Sequence, residues 1–477
     1  MRDHLLLYVN GAPVHVRGRD AFRSLTSFLR EDRRATGTKV VCEEGDCGAC
    51  TVLIGRPEGD ALAYRPVNAC ILHLHQLDGA HVVTVEGLLD ERGALHPVQE
   101  QMVAYHGAQC GFCTPGFITA LAALYERGPA PTDRTVRDGL TGNLCRCTGY
   151  EPILRAALAV DPAAVRRLND RYPPAAMLAA FAEAAGESVH IEAEGRVFAA
   201  PTGVAGAAAF RAEHADATIV QGGTDVGVWC TKRAFAPRAV LNLARLPGWN
   251  DLTLEDGVLE VGGGVTLAAL EAFVREPVPE FYEILRHFGS PQIRAAGTLA
   301  GNVANASPIA DTLPFLFVTG ATLELTGTTG TREVAVGAFY KGYKLLDLAP
   351  DELITRIRIP LPAAGETLKL YKVSKRKDLD ISSFTAAFLL ELEDARIAQA
   401  RIAYGGVGPV VLRLPRTEAF LTGQPLDLGV MEEAGQIARE EITPISDVRG
   451  SRDFRLQLAE RILLKLYHDL APAEVAA

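Results

Sequence analysis

Hydrophobic and polar positions alternate on both sides of Asn10-Gly11, so HLLLYV and PVHVR predict the two arms of a β-hairpin within residues 4–17. Asp20 stands just ahead of, and Ser24 at the start of, the stretch FRSLTSFLRED, whose apolar residues recur at helical spacing. TVLIG, NACILHL and HVVTVEGL add strand-like runs, and residues 1–86 together predict a small β-grasp sheet clasping one helix. From residue 97 the period becomes helical. Thr114 and Pro115 offer an N-cap and a first helical residue to GFITALAALYERG, which stops at Gly128. Further helices start near Thr132 and at Pro152, so residues 87–165 predict a helical bundle. Residues 166–195, with the Ala- and Pro-rich RYPPAAMLAAFAEAAGE, show no sustained pattern and predict a linker. The remainder opens with a strand over ATIVQGGTDVGVW. It continues through LEVGGGVTLAALEAFV and the Gly- and Asn-rich RAAGTLAGNVANASPIAD, and ends in alternating strands and helices. An α+β domain over 196–362 and a second over 363–470 complete a multidomain α+β chain.

A length of 477 residues accords with two to four domains. The 48 Lys+Arg against 58 Asp+Glu leave a net charge of -10, with no basic surplus for phosphates, which excludes nucleic acid as a partner. The start lacks the basic region, apolar run and cleavage site of a secretory signal, and no stretch approaches about 18 uninterrupted apolar residues. A soluble, cytoplasmic chain without a membrane partner is the expectation. Of the 9 cysteines, all but Cys230 lie within the first 147 residues. An odd total without a secretory signal argues for thiolates that hold metal rather than for disulfides. Cys230 itself reads as a small buried hydrophobe, and His73 with His75 as a strand face.

Cys42-x4-Cys47-x2-Cys50, followed by Cys70, has the spacing of a plant-type ferredoxin loop. Three thiolates on one tight loop can wrap an iron-sulfur cluster while the fourth arrives from a neighbouring strand. Gly45 and Gly48 let that loop turn tightly and aim N–H groups at sulfur. Zinc or buried free thiols are the competing reading, against which the four-residue gap speaks. Cys110-x2-Cys113 and Cys145-x-Cys147 form a second set, each pair at a predicted helix start, where the dipole favours thiolates. A zinc knuckle competes here too, although Cys-x-Cys suits a zinc hairpin poorly. Two clusters in adjacent small domains make an electron wire.

CEEGDCGACTV, QCGFCTPGFI and GNLCRCTGYEPI resemble the iron-sulfur region of the molybdenum hydroxylases, in the xanthine dehydrogenase branch that joins this region to a flavin domain. The second half carries Gln221-Gly222-Gly223-Thr224-Asp225 after a strand. Its two glycines admit a pyrophosphate and offer successive N–H donors, or simply make a turn. There is no G-x-G-x-x-G, so a Rossmann site is not supported. Gly262–Gly264 reads as a strand-to-helix turn. The run from Gly297 to Asp311, small and rich in Asn, suits a loop wrapping a polar cofactor. Together the two segments resemble the FAD-binding fold of the vanillyl-alcohol-oxidase and carbon-monoxide-dehydrogenase flavoprotein type.

That resemblance implies FAD contacts from Thr218, Ile219, Val220, Gln221, Gly222, Gly223, Thr224, Asp225 and Val226, then from Gly297, Thr298, Gly301, Asn302, Asn305 and Asp311, and later from Ile354 and Lys372. Phe288 would lie near a flavin ring or be an ordinary core aromatic. The charged stretch YKVSKRKDLDIS would be an NAD-docking loop, with Tyr343, Arg376 and Asp380 as its candidates, or a solvated face. No catalytic residue is expected beyond this electron relay. The resemblance further implies two 2Fe-2S clusters and FAD passing electrons to NAD, from a molybdopterin centre that oxidises hypoxanthine or xanthine. These residues leave no room for that centre, so a molybdopterin-binding large subunit is the expected partner, in a dimer of heterodimers. Gln109 and Cys147 would face the pterin. The competing functions are the matching part of an aldehyde or N-heterocycle dehydrogenase or oxidase, and a stand-alone redox sensor.

Overall fold

The hairpin forms where the alternation puts it. β1 (His4–Val9) and β2 (Ala12–Arg17) pair antiparallel, and the turn takes Asn10 to φ 48° and Gly11 to φ 84°. This is the two-residue turn that matches strand twist. β3 (Thr51–Glu58), β4 (Ala61–Asn68) and β5 (Ala80–Val83) complete a sheet in the order β2-β1-β5-β3-β4, with β1 and β5 parallel. Leu5, Leu7 and Val9 point inward with Leu25 and Leu29 of α1 (Leu25–Glu31), whose N-cap Ser24 accepts from the Ser27 N–H. The structure, a computed structural model, describes residues 1–126, 128 and 130–471. The chain folds as two units, residues 1–247 with 289–297, and residues 248–288 with 298–477.

The helical bundle of the first unit holds α2 (Pro97–Ala104), α3 (Thr114–Glu126), α4 (Asp133–Gly139) and α5 (Glu151–Leu158). α3 is apolar on nearly every side, and Phe117, Leu121 and Tyr125 bury against Ile153 and Ala157. Thr132 caps α4 through the Thr135 N–H, as its place before the helix implies.

Two expectations are corrected within this unit. Residues 166–195, read as a linker, are folded: Ala175–Ala185 is a helix with Met177 and Phe181 buried, and Phe181 meets Tyr8 edge-on at 5.6 Å. These two large residues, four apart, lie on one helical face, and that is enough to seat the alanines around them. β6 (Val189–Ala193) then pairs with β7 (Arg196–Ala200) in a sheet ordered β6-β7-β9-β8, with β8 at Thr218–Val220 and β9 at Ala239–Asn242. The expected strand ATIVQGGTDVGVW therefore ends at Val220. Gly223, in the left-handed region at φ 67°, turns the chain into the helix Thr224–Arg233.

The second unit sets a five-stranded antiparallel sheet, with Leu353–Pro360 at its centre, over helices including Leu267–Phe273, Pro279–Arg286 and Leu313–Thr319. Phe281 stacks on Phe315 at 4.2 Å in its core. The glycines at 262–264 do make a strand-to-helix turn, into the helix capped by Thr266. Thr298 caps another short helix, Leu299–Ala304, through the Gly301 N–H at 3.0 Å, so part of the expected cofactor-wrapping loop is helical. A four-stranded sheet, led by Glu366–Val373, Phe384–Glu393 and Arg396–Gly405, closes the unit beside helices Leu428–Glu440 and Arg452–Leu470. Among the described residues no helix is long and apolar enough to cross a membrane.

Candidate functional site

Cys42, Cys47 and Cys50 sit on the loop between α1 and β3, and Cys70 follows β4. The thiols meet in a chain: Cys42 touches Cys47 and Cys70, and Cys70 touches Cys50. The Cys47 N–H donates to Cys42 Sγ at 3.4 Å. Gly45 and Gly48 both lie in the left-handed region, at φ 78° and 68°. A Cβ on Gly48 would stand 2.2 Å from the Gly142 carbonyl oxygen, so only glycine fits. Cys42 is held well below the ordinary thiol range by hydrogen bonds from Cys47 and Cys70, while those contacts push Cys47 and Cys70 up. One thiolate sharing its neighbours' protons is what crowded thiols do before metal displaces those protons.

The second set divides into two pairs. Cys147 donates to Cys110 at 3.6 Å, and Cys113 contacts Cys145. Burial, then the Cys145 contact, pushes the Cys113 thiol up to about 12. The Thr148 hydroxyl donates to Cys145 Sγ at 3.2 Å, and Tyr150 accepts from the Cys145 N–H at 3.1 Å with its own backbone at φ 71°. Cys110 and Cys147 are exposed, as is Gln109, with Phe112 and Leu144 uncovered beside them. All nine cysteines are free thiols. Among the described residues no three His, Cys, Asp or Glu side chains close around a single ion. Eight thiols in two groups of four, with N–H and O–H donors turned on sulfur, are a donor set suited to two 2Fe-2S clusters.

The two cysteine loops are stitched together. The Leu144 N–H donates to the Cys47 carbonyl at 3.0 Å, and Asn143 Nδ2 to the Gly48 carbonyl at 3.1 Å. Gly116 of α3 approaches that carbonyl so closely that a Cβ there would lie 2.2 Å from it.

The first candidate flavin segment is a glycine cradle. Added Cβ atoms would meet the Ala296 carbonyl oxygen at 2.1 Å from Gly222 and Gln76 Nε2 at 2.5 Å from Gly223. Gln76 Nε2 donates to the Gly222 carbonyl at 3.1 Å. Gln221 Oε1 is buried and accepts no hydrogen bond from the protein, an orphaned acceptor fit for a bound polar group. Thr218, Ile219 and Val220 lead into the cradle on β8; Thr224, Asp225 and Val226 leave it on the first helical turn.

The second unit gathers the other candidates without sequence proximity. Asp311 is ion-paired to Lys372 at 2.6 Å and accepts from Ser382 at 2.5 Å, and Lys372 also donates to the His287 carbonyl at 2.9 Å. Asn302 accepts from Thr312 at 2.6 Å, and Lys344 donates to Asn305 Oδ1 at 3.0 Å. Ile354 is buried in the central strand, and Phe288 packs half-buried against the core. Arg376 pairs with Asp380 at 2.7 Å; burial raises the Asp380 carboxyl, but the Arg376 bonds prevail and leave it lowered. His287 reaches Asp378 on the same loop at 3.1 Å, while Tyr343 stands 62% exposed on a separate hairpin. Lys344 and His287 were not expected from the sequence, and Ser382 and Asp378 were not singled out within the charged stretch YKVSKRKDLDIS that contains them.

Residues 84–158 match the 2Fe-2S binding domain family, residues 192–362 the "FAD binding domain in molybdopterin dehydrogenase", and residues 369–470 the "CO dehydrogenase flavoprotein C-terminal domain". Xanthine dehydrogenase 1 of Arabidopsis thaliana is 28% identical over 97% of this chain, and aldehyde oxidase 4 of Cavia porcellus 31% identical over 98%. The chain spans 39% of the length of each. Among solved structures, quinoline 2-oxidoreductase from Pseudomonas putida 86 aligns with TM-score 0.53 and 31% identity, covering 57% of this chain and 94% of that one. Domains for 2Fe-2S and FAD on one multidomain α+β chain define an iron-sulfur flavoprotein, a module for moving electrons. The chain belongs to the molybdenum hydroxylase family, as its iron-sulfur and FAD electron-transfer module.

Proposed function

We propose that this module serves a xanthine dehydrogenase, taking electrons from a molybdopterin centre on a partner subunit and delivering them to NAD. The observation that carries the reading is the stitching of two four-thiol groups into one unit with the flavin-type glycine cradle. When bound, two 2Fe-2S clusters and FAD turn single-electron arrivals into the hydride that NAD accepts. The eight cysteines hold the metal; the glycine cradle with Gln221 takes the pyrophosphate; Thr298, Gly301, Asn302, Asn305, Asp311, Ile354 and Lys372 take the rest of the flavin. Tyr343, Arg376 and Asp380 position the nicotinamide side. The exposed rim at Gln109, Cys110 and Cys147 is where the molybdopterin partner docks, in a cytoplasmic dimer of heterodimers. In its support, little more than half of this chain accounts for nearly all of the quinoline 2-oxidoreductase chain it matches, so in that relative the matched part is a polypeptide of its own.

Anaerobic isolation followed by metal, flavin and molybdenum analysis tests the reading. It expects about four iron per chain, bound FAD, molybdenum on a larger partner, and NADH formed from xanthine and NAD. A chain without iron or flavin refutes it. A second reading, the equivalent module of an aldehyde or N-heterocycle dehydrogenase or oxidase, is favoured by the 31% identities to aldehyde oxidase 4 and quinoline 2-oxidoreductase, against 28% to the plant xanthine dehydrogenase. The same cofactors without xanthine turnover would select it.

A further inference from the structure

Gln292 belongs to the short helix Pro291–Ala296, far along the chain from every cysteine, yet its side chain lies between the two cysteine loops and is 1% exposed. Its Nε2 donates to Thr51 Oγ1 at 3.2 Å and to Asn143 Oδ1 at 2.9 Å. Thr51 follows Cys50 and donates to the Gly48 carbonyl at 2.6 Å; Asn143 stands two residues before Cys145 and donates to the same carbonyl. One amide group thus spans both loops, and both of its partners close on a single oxygen between Cys47 and Cys50. Gly142 leaves the room this needs, because a Cβ there would lie 2.0 Å from Gln292 Oε1. Thr51 and Asn143 are themselves 3% and 4% exposed, so the network is dry and its geometry is held by these bonds rather than averaged by solvent.

Burying three polar side chains to join two backbone loops is costly where apolar residues would fill the space, unless the spacing itself is needed. We infer that Gln292 is a positioning residue for electron passage: it fixes the separation and mutual orientation of the two cysteine loops, and so paces the transfer of an electron between the groups they hold. This rests on the two-cluster reading above. In that step one group is oxidised by one electron and the other reduced by one; no bond forms or breaks and no proton moves. Gln292 also lies six residues before Thr298, so the segment that clamps the loops runs directly into the second flavin segment.

The test uses the full holoprotein, as Gln292→Met, Thr51→Val and Thr51→Ser. Iron and flavin are quantified first. If the unsubstituted protein lacks two clusters, the two-cluster reading fails and not merely this inference. With both clusters loaded, the magnetic splitting between them in the electron paramagnetic resonance spectrum of the fully reduced protein reports their spacing, and rapid-mixing reduction reports transfer. Gln292→Met and Thr51→Val are expected to keep wild-type iron while the splitting changes and inter-cluster transfer slows about tenfold, the scale of effect that a sub-ångström misplacement has on a reaction. Thr51→Ser, which keeps the hydroxyl, is expected to match wild type. Unchanged splitting and rate in both defective variants would overturn the inference. So would Thr51→Ser failing like Thr51→Val, or iron lost from both Gln292→Met and Thr51→Val, since either result makes the network a folding element.

Discussion

Replacing Lys372 by methionine keeps the length of the side chain and removes its charge from one of the least solvated ion pairs in the molecule. Lys372 and Asp311 have side chains 8% and 7% exposed and stand 2.6 Å apart. Without the ammonium, Asp311 retains the Ser382 hydroxyl, and the His287 carbonyl loses the Lys372 donor. Stranding one charge of a buried pair costs about 3–5 kcal/mol, and the vacated carbonyl adds about 1 kcal/mol. Lys372→Met should therefore lower the stability of the second unit by about 5 kcal/mol. The double variant Lys372→Met, Asp311→Asn removes the stranded charge and should recover more than half of that. Urea unfolding followed by Trp249 fluorescence, in a Trp229→Phe background, reads this unit, since Trp249 is its only tryptophan. A loss below about 1 kcal/mol, the scale of solvated pairs, or no recovery in the double variant, would refute the reasoning. Flavin content measured alongside tests the proposed cofactor role: the pair's candidates should lose FAD together.

Other expectations follow from single features. Burial lowers His73, His81 and His96 from 6.5 to about 4. The unfolded chain takes up their protons first as pH falls, so their contribution is intact above pH 6.5, is lost down to about pH 4, and then levels. Each adds a slope of up to about 1.4 kcal/mol per pH unit; urea titrations across that window that show no slope would contradict it. Gly48→Ala forces a Cβ against the Gly142 carbonyl at positive φ, and should leave about two iron per chain, from the second cysteine set, by iron analysis and electron paramagnetic resonance. Arg376→Ala removes the guanidinium from Asp380 while the backbone N–H of position 376 still donates to it, and should raise the NADH concentration needed for half-maximal flavin reduction about tenfold, with xanthine-driven dye reduction retained. An unchanged NADH dependence in stopped flow would remove Arg376 from the acceptor side.

Local signals were legible in the sequence. The Asn10-Gly11 hairpin, the Ser24 and Thr132 caps and the 262–264 glycine turn each depend on residues within a few positions of one another, and the structure builds each of them. The failures have a common cause in tertiary partners. Ala175–Ala185 resembles a linker because two large residues are a weak pattern, and partners such as Tyr8, far back in the chain, make them a buried face. QGGTDVGVW continues a strand in composition, yet Gly223 at positive φ turns it into a helix whose Gly227 must approach the Ile71 carbonyl, 2.1 Å from where a Cβ would stand.

The candidate site divides along the same line. Cysteine spacing is legible because loop geometry ties three thiols of the first set, and each of the two pairs of the second, to fixed local offsets. What holds those loops in register is not local at all. Gln292 is separated from Thr51 by 241 positions and from Asn143 by 149, and a glutamine among apolar residues in PQIRAAG carries no pattern of its own. Lys372 and Asp311 are 61 positions apart. A charged stretch such as YKVSKRKDLDIS reads as either a docking loop or a solvated face, and only the fold shows that Lys372 turns inward while Arg376 and Asp380 close on each other. Chemistry-bearing residues are thus visible in one dimension, whereas the residues that set distances between them are defined only by the packing that buries them. A relay whose performance depends on distance is for that reason the kind of function in which sequence names the carriers and structure alone names the spacers.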